Sequence, residues 1–238
     1  MIGRTAGFLD QTREGWNTPL RFRPGESWQY GSGIDWAGQV LETVTGQSLG
    51  SYMSENIFKP LGMSDTTFRP AAQDFFSTPQ DYIKFLQAVL AAGEGQGTLL
   101  RKQSVEEMFR PQLNEAQSTK MKTWLGGALP FQGQTPVNHG ISGAINMGNI
   151  EGKRRKGTLT WAGISNPQWW IDREAGIAAV LFVNILPPDD EPVKRMYDDS
   201  WGNSEKFTLQ TSSAPTVGED SQARAGMIKQ AEAVVSTE

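Results

Sequence analysis

The chain has 238 residues, of which 37% are hydrophobic and 20% charged, a globular balance rather than a disordered one. Its net charge of -4 excludes the broad basic footprint of a nucleic-acid binder, and the absence of cysteine excludes a disulfide framework, a thiolate metal site and a Cys nucleophile. One histidine, His139, cannot build a His-rich metal centre, so neither a metal nor another cofactor is expected.

Residues 1–27 read as loop, and Arg21-Phe22-Arg23-Pro24-Gly25-Glu26 carries a Pro-Gly turn signal. From Gly33 the pattern becomes helical. Ile34, Ala37, Val40, Leu41 and Val44 recur at spacings of three and four, one apolar face, and Thr45-Gly46 should end the helix because Gly accepts the left-handed conformation. Residues 48–57 predict a second short helix with Leu49, Tyr52, Met53 and Ile57 on one side, and Pro60-Leu61-Gly62-Met63 predicts a turn. Thr78 as N-cap and Pro79 at the first helical position open a third helix, with Tyr82, Ile83, Phe85, Leu86, Val89 and Leu90 as its broad apolar face. The glycine-rich run 91–97 reads as a flexible loop. Residues 102–109 predict another short helix capped by Ser104.

The second half changes character. Segments 124–129, 145–150, 157–162, 168–172 and 177–185 are short β-prone runs between turn residues, which predict an antiparallel meander. The nearly unbroken apolar run 178–183 suits a central strand covered on both faces. Lys153-Arg154-Arg155-Lys156 reads as a solvated turn between strands. After Pro187-Pro188 a helix is expected over 191–201. Residues 208–238 shift to Ser, Thr, Gln, Ala and Gly and read as a disordered tail with a weak helix at 223–235. Helices, then an antiparallel sheet, then a helix is an α+β order, with one domain expected over 1–207. No run approaches ~18 apolar residues, and Met1 to Gly7 lacks an apolar signal core, so no membrane partner and a cytoplasmic location are expected.

The string from Phe22 to Gly38, with Pro24-Gly25 before Tyr30-Gly31-Ser32, resembles the second motif region of class C β-lactamase-like proteins. That family includes penicillin-binding peptidases, family VIII esterases and lovastatin-type fungal acyltransferases. Val44-Thr45-Gly46-Gln47-Ser48, the run from Ile57 to Phe68, Phe76-Ser77-Thr78-Pro79-Gln80-Asp81-Tyr82 and the run from Trp169 to Ile177 resemble its later landmarks, in order. Gly33-Ile34-Asp35-Trp36 and Leu186-Pro187-Pro188-Asp189 lean toward the fungal acyltransferases. The resemblance implies a β-lactamase/transpeptidase-like fold, an antiparallel sheet flanked by helices. It also implies a serine acyl-enzyme that transfers or hydrolyses an ester or thioester, in secondary metabolism, with an acyl-carrier protein as one candidate donor.

On that resemblance Tyr30 stands at the family's catalytic tyrosine. A serine hydroxyl is a weak nucleophile until a base takes its proton, and the family's Lys and Tyr share that work. Tyr30 beside Trp28 and Trp36 also reads as a packed core tyrosine. Ser32 stands where the family usually has Asn, and it keeps a donor and an acceptor on a shorter reach. Trp161-Ala162-Gly163 sits at the third motif, Lys-Thr-Gly in β-lactamases. There the strand backbone faces the developing oxyanion, and Gly163 would let substrate lie close. Trp161 lacks the charge that would bind a β-lactam carboxylate, which favours an acyl ester over a penicillin. An ordinary core strand ending in a Gly turn explains the same residues. Trp170, with Trp169, is a candidate wall of an acyl pocket, or packing. His139 reads as a structural loop histidine.

The family's chemistry begins with Ser-x-x-Lys, and no Lys of this sequence has a Ser three residues before it. Thr119-Lys120-Met121-Lys122 comes nearest, in an expected polar linker. The resemblance therefore implies that the N-terminal part of the domain is missing. Ala71-Ala72-Gln73-Asp74 is likewise a very short bridge before Phe75. A truncated acyltransferase or esterase is the favoured reading, against a catalytically inactive remnant or binding pseudoenzyme, with a β-lactamase or penicillin-binding peptidase behind both. Such a chain is expected to expose a large apolar face and to be marginally stable.

Overall fold

The computed structural model describes residues 12–69, 74–125, 135–202 and 229–233. The first helix, α1 (Arg13–Trp16), replaces part of the loop expected over 1–27; Thr12 caps it, its hydroxyl accepting from Gly15 N–H at 3.0 Å. Helix α2 (Gly33–Thr45) ends on Gly46 at φ 69, as the Thr-Gly signal predicts. Helix α3 (Leu49–Met53), a π-turn (Ser54–Phe58) and α4 (Lys59–Leu61) then run on without a break, and Gly62 ends them at φ 65. The turn expected over Pro60-Leu61-Gly62-Met63 thus begins only at Gly62. Proline inside a helix lacks a donor and crowds the carbonyl four residues back. The π-turn lies just before Pro60, with Lys59 N–H donating to the Ser54 carbonyl five residues back.

Of the bridge expected at 71–74 only Asp74 is described, and it opens a strand. Strands β1 (Thr67–Arg69) and β2 (Asp74–Phe76) pair antiparallel, with Thr67 opposite Phe76, and residues 70–73 between them lie outside the described residues. Helix α5 (Pro79–Gly93) starts where expected, Asp81 N–H donating to the Thr78 hydroxyl at 3.2 Å. The Asp81 carboxylate, 1% exposed, accepts from Asp65 N–H at 2.7 Å, the Thr66 hydroxyl at 3.0 Å and the Lys84 ammonium at 2.8 Å. Burial alone would raise its pKa most strongly, but these donors together hold it below the ordinary carboxylate value. The network ties α5 to the turn after α4. Helix α6 (Lys102–Met108) is entered through Arg101, not Ser104, with Ser104 N–H bonded to the Arg101 carbonyl at 3.0 Å.

Helix α7 (Glu115–Leu125) occupies residues read as a polar linker and as the start of the strand expected at 124–129; residues 126–129 lie outside the described residues. A six-stranded sheet follows, in the order β3 (Val137–His139), β4 (Ala144–Asn146), β5 (Leu159–Ala162), β6 (Gln168–Asp172), β7 (Ile177–Leu181) and β8 (Lys229–Ala233). The first five strands form an antiparallel meander as expected, but its first strand is β3, in a stretch read as loop, and not the run 124–129. Strand β8 pairs parallel to β7, from Ile177 opposite Lys229 to Leu181 opposite Ala233, where a weak helix was expected. The remainder of the expected tail, 208–228 and 234–238, lies outside the described residues. Helix α8 (Glu191–Gly202) matches its predicted span.

The pleat divides the core in two. Ile171, Ala178 and Val180 face α5, where Ile83, Leu86, Val89 and Leu90 meet them. Trp170, Ala179 and Leu181 face the other way, against Val193 and Tyr197 of α8. The basic run does not stay in solvent: Arg154 is 1% exposed, its guanidinium 5.0 Å from the centre of the Tyr197 ring. Helix α2 is the exception to this coverage. Its apolar stripe points outward, with Ile34 77%, Val40 61% and Val44 79% exposed, and no residue of the helix is buried.

An outward apolar stripe of this kind is an association liability. The 238-residue chain should self-associate as its concentration rises in analytical ultracentrifugation, and Val40→Glu with Val44→Lys should reduce that association while leaving the thermal midpoint within a few degrees. A monomer at every concentration would contradict it.

Candidate functional site

Tyr30 lies in the irregular segment just before α2 and is 50% exposed, so it is not a core tyrosine. Its ring is nearly parallel to two indoles. Trp124 of α7 lies 5.4 Å away at 8°, and Trp161 of β5 lies 6.4 Å away at 10°. Both distances fall in the range of favourable aromatic stacking. Trp28 packs edge-on to Trp124 at 5.7 Å, and with Trp161 it lies over the Met121, Leu125, Val137 and Ala144 cluster between α7 and the sheet. The phenol is thus held between a helix and a strand that are distant in sequence, with one edge open to solvent.

Ser32 is the N-cap residue of α2, its carbonyl accepting from Trp36 N–H at 3.0 Å, and its hydroxyl makes no cap hydrogen bond. Trp161 and Ala162 run beyond the β4 ladder, which stops at Thr160, while staying paired to Trp169 and Gln168 of β6. Gly163 closes the β5–β6 hairpin. Its N–H donates to the Pro167 carbonyl at 2.9 Å, and a Cβ there would fall 2.8 Å from Pro167 Cγ. The turn itself therefore demands glycine and uses its N–H, whatever lies against it.

A cleft of about 790 Å³ opens beside this hairpin, lined by Phe76, Tyr82, Trp161, Gly163, Trp169 and Phe182 among others. Its size and its aromatic walls suit a small apolar molecule. Trp161 is shared, standing on the cleft wall and against Tyr30. Trp170, expected to bind substrate, is not there. It is 6% exposed and packed under α8 on the opposite face, while its neighbour Trp169 lines the cleft. Consecutive residues of a strand point to opposite faces, so only one of the pair could do so.

Three participants escaped the sequence reading. Trp124 was assigned to a strand, yet its place at i+3 from Met121 on α7 is what brings it over Tyr30. Tyr82 counted only as part of a helix's apolar face, yet it lines the cleft. His139, read as a loop residue, ends β3 with its ring 5.5 Å from that of Trp161. The nearest approach to the nucleophile motif, Thr119 to Lys122, lies on α7, where Lys122 Nζ bonds the Thr135 carbonyl at 3.3 Å. Among the described residues, no group of three or more His, Cys, Asp and Glu side chains could hold a metal ion, and no helix is long and apolar enough to cross a membrane.

A model of the family described as Beta-lactamase matches residues 5–200. Lovastatin esterase of Penicillium rubens is 29% identical over 218 residues, which cover 72% of this chain and 54% of that protein. Monacolin J acid methylbutanoyltransferase of Aspergillus terreus is 31% identical over 219 residues, 72% of this chain and 52% of the relative. The chain thus spans about half the length of the curated relatives it matches. Unliganded simvastatin synthase (LovD) from Aspergillus terreus superposes with a TM-score of 0.69 at 26% identity, over 79% of this chain and 58% of that one. The fold is β-lactamase/transpeptidase-like.

His139 gives the site a pH response. Desolvation lowers its pKa below the ordinary value, and the Nδ1–H donated to the Gly140 carbonyl only partly offsets this. A base with a depressed folded-state pKa takes up its proton more readily when unfolded. Stability is therefore complete above pH ~6.5, the unfolded imidazole value, and falls as pH drops through it toward the folded pKa. Urea midpoints measured from pH 8 down to pH 5 should decline, and His139→Gln should flatten that decline. An equal slope in the variant would assign the pH dependence elsewhere.

Proposed function

This chain belongs to the beta-lactamase family, and from that premise we propose that it is the tyrosine-and-cleft portion of a serine acyltransferase or carboxylic-ester hydrolase. The observation that carries the reading is the arrangement at Trp161, one face against the Tyr30 ring and the residue itself on the wall of an aromatic cleft. Tyr30 relays the proton, and the cleft holds the apolar part of the acyl donor or of the alcohol acceptor. A serine hydroxyl attacks the donor carbonyl and its proton passes through Tyr30 toward the leaving alcohol or thiol; the acyl-enzyme is then opened by an acceptor alcohol or by water, with the same proton traffic reversed. The relatives named above include an esterase and an acyltransferase, and the same acyl-enzyme scheme serves either activity, with water or an alcohol as the acceptor. A small ester or thioester of secondary metabolism, with an acyl-carrier protein as candidate donor, fits this division of labour, as does a cytoplasmic setting. Trp161 in place of a cation argues against β-lactams.

The 238 residues contain no Ser-x-x-Lys, so the reading requires the nucleophile to come from sequence outside them. The same fact supports a second reading, a binding protein without turnover. Expression of the coding region as transcribed, with any in-frame sequence before Met1, separates them. The enzyme reading predicts hydrolysis of p-nitrophenyl butanoate and a roughly 10²- to 10⁴-fold loss of kcat on Tyr30→Phe. No turnover and no acyl adduct from the unmodified product would leave only the binding reading.

A further inference from the structure

Most of the cleft wall is apolar, and Ser77, Thr78, Gln80, Ser165 and Asn184 also line it. Tyr82 differs from these polar residues in being clamped by aromatic rings. Thr78 O receives its backbone N–H at 2.9 Å, which fixes it one turn into α5. Its ring packs against Phe182 at 5.4 Å, Phe85 at 6.1 Å and Trp169 at 6.5 Å, all at tilted angles. Three large neighbours leave the ring little freedom to turn away. No described residue hydrogen-bonds its hydroxyl, although the side chain is only partly exposed and lines the cleft. Water can reach the hydroxyl in the open cleft, and a ligand that displaces it without offering an acceptor forfeits that bond. Burial also pushes the phenol up to about 12, so it remains a protonated donor throughout the physiological range and cannot serve as a base.

We propose that Tyr82 is the specificity-determining residue of the cleft, its hydroxyl donating a hydrogen bond to a carbonyl or ether oxygen carried on the otherwise apolar part of the ligand. This rests on the cleft being the substrate site. The substrate class that follows is an apolar ring or chain with an oxygen substituent set back from the reacting ester, rather than bare hydrocarbon. A site built around a hydrogen-bond donor rejects the analogue lacking the acceptor, because the buried donor is then left unpaired. Walls of Phe76, Trp169 and Phe182 alone would not make that distinction.

The test uses the naphthalene ketone Prodan and its carbonyl-free parent, dimethylaminonaphthalene, titrated into the full chain. Prodan emission moves to longer wavelength when its carbonyl accepts a hydrogen bond, so one titration reports both affinity and the bond. Three proteins are compared: the unmodified chain, Tyr82→Phe, which keeps the ring and its packing, and Val183→Trp, which fills the cleft. The expected result is that Tyr82→Phe weakens Prodan about fivefold and shifts its emission to shorter wavelength, with the parent compound unaffected. Val183→Trp should weaken both compounds. Equal Prodan affinity and emission in the unmodified chain and Tyr82→Phe, with Val183→Trp still weakening both, would overturn the role of Tyr82 and leave the cleft as the binding site. Binding indifferent to Val183→Trp, or no binding, would overturn the cleft reading and the proposal with it.

Discussion

The structure depends on one constraint: the central strands are covered on both faces, and the pleat decides which residue meets which cover. In β7 the alternation sends Ala178 and Val180 to α5, and Ala179 and Leu181 to α8. The same alternation in β6 places Trp169 in the cleft and Trp170 beneath α8. A slip of one residue in this register would exchange those two indoles, bury the cleft wall and expose the packing residue. Register here fixes the fold and the site together, and the meander's short turns hold it, with Gly163 bound to Pro167 at one of them.

The site lies where the covering of the sheet stops. Strand β4 ends its pairing at Thr160, and the next residue, Trp161, is free to serve two surfaces at once. On one side it supports Tyr30, which is backed again by Trp124; on the other it borders the cleft under Tyr82 and Phe182. Aromatic rings suit this position because they bury a large area with few rotatable bonds, so a half-exposed site stays ordered. The outward stripe of α2 belongs to the same boundary. The helix begins three residues after Tyr30, so the open side of the site and the uncovered apolar helix are neighbours along the chain.

Much of this was legible where a single local rule governs. Thr78-Pro79 opened α5, Gly46 closed α2 and the run 168–172 gave β6 at its true bounds, because caps and alternation act over a few residues. The ordered landmarks from Tyr30 to Ile177 were also enough to anticipate the fold. What failed involves partners far away in the chain. Trp124-Leu125 looks like the start of a strand by propensity, but Met121 and Leu125 are four apart and pack together on β3 as a helix face. Arg154 sits in a basic run that reads as solvated, and only the ring of Tyr197 from α8 explains its burial. Which member of Trp169-Trp170 faces the cleft depends on the phase of the pleat, which composition does not carry. His139 reads as a loop histidine because its neighbours Trp28 and Trp161 are distant in sequence.

The central claim is that the α5 face of the β5–β6 hairpin, and not the α8 face, receives the ligand. Fluorine NMR of the chain carrying fluorotryptophan, assigned by single Trp→Phe variants and titrated with butyl butanoate, tests it most directly. The account predicts that the Trp161 and Trp169 resonances shift with a common saturation curve while Trp170 stays in place. A shift of Trp170 with Trp161 and Trp169 unmoved would contradict it.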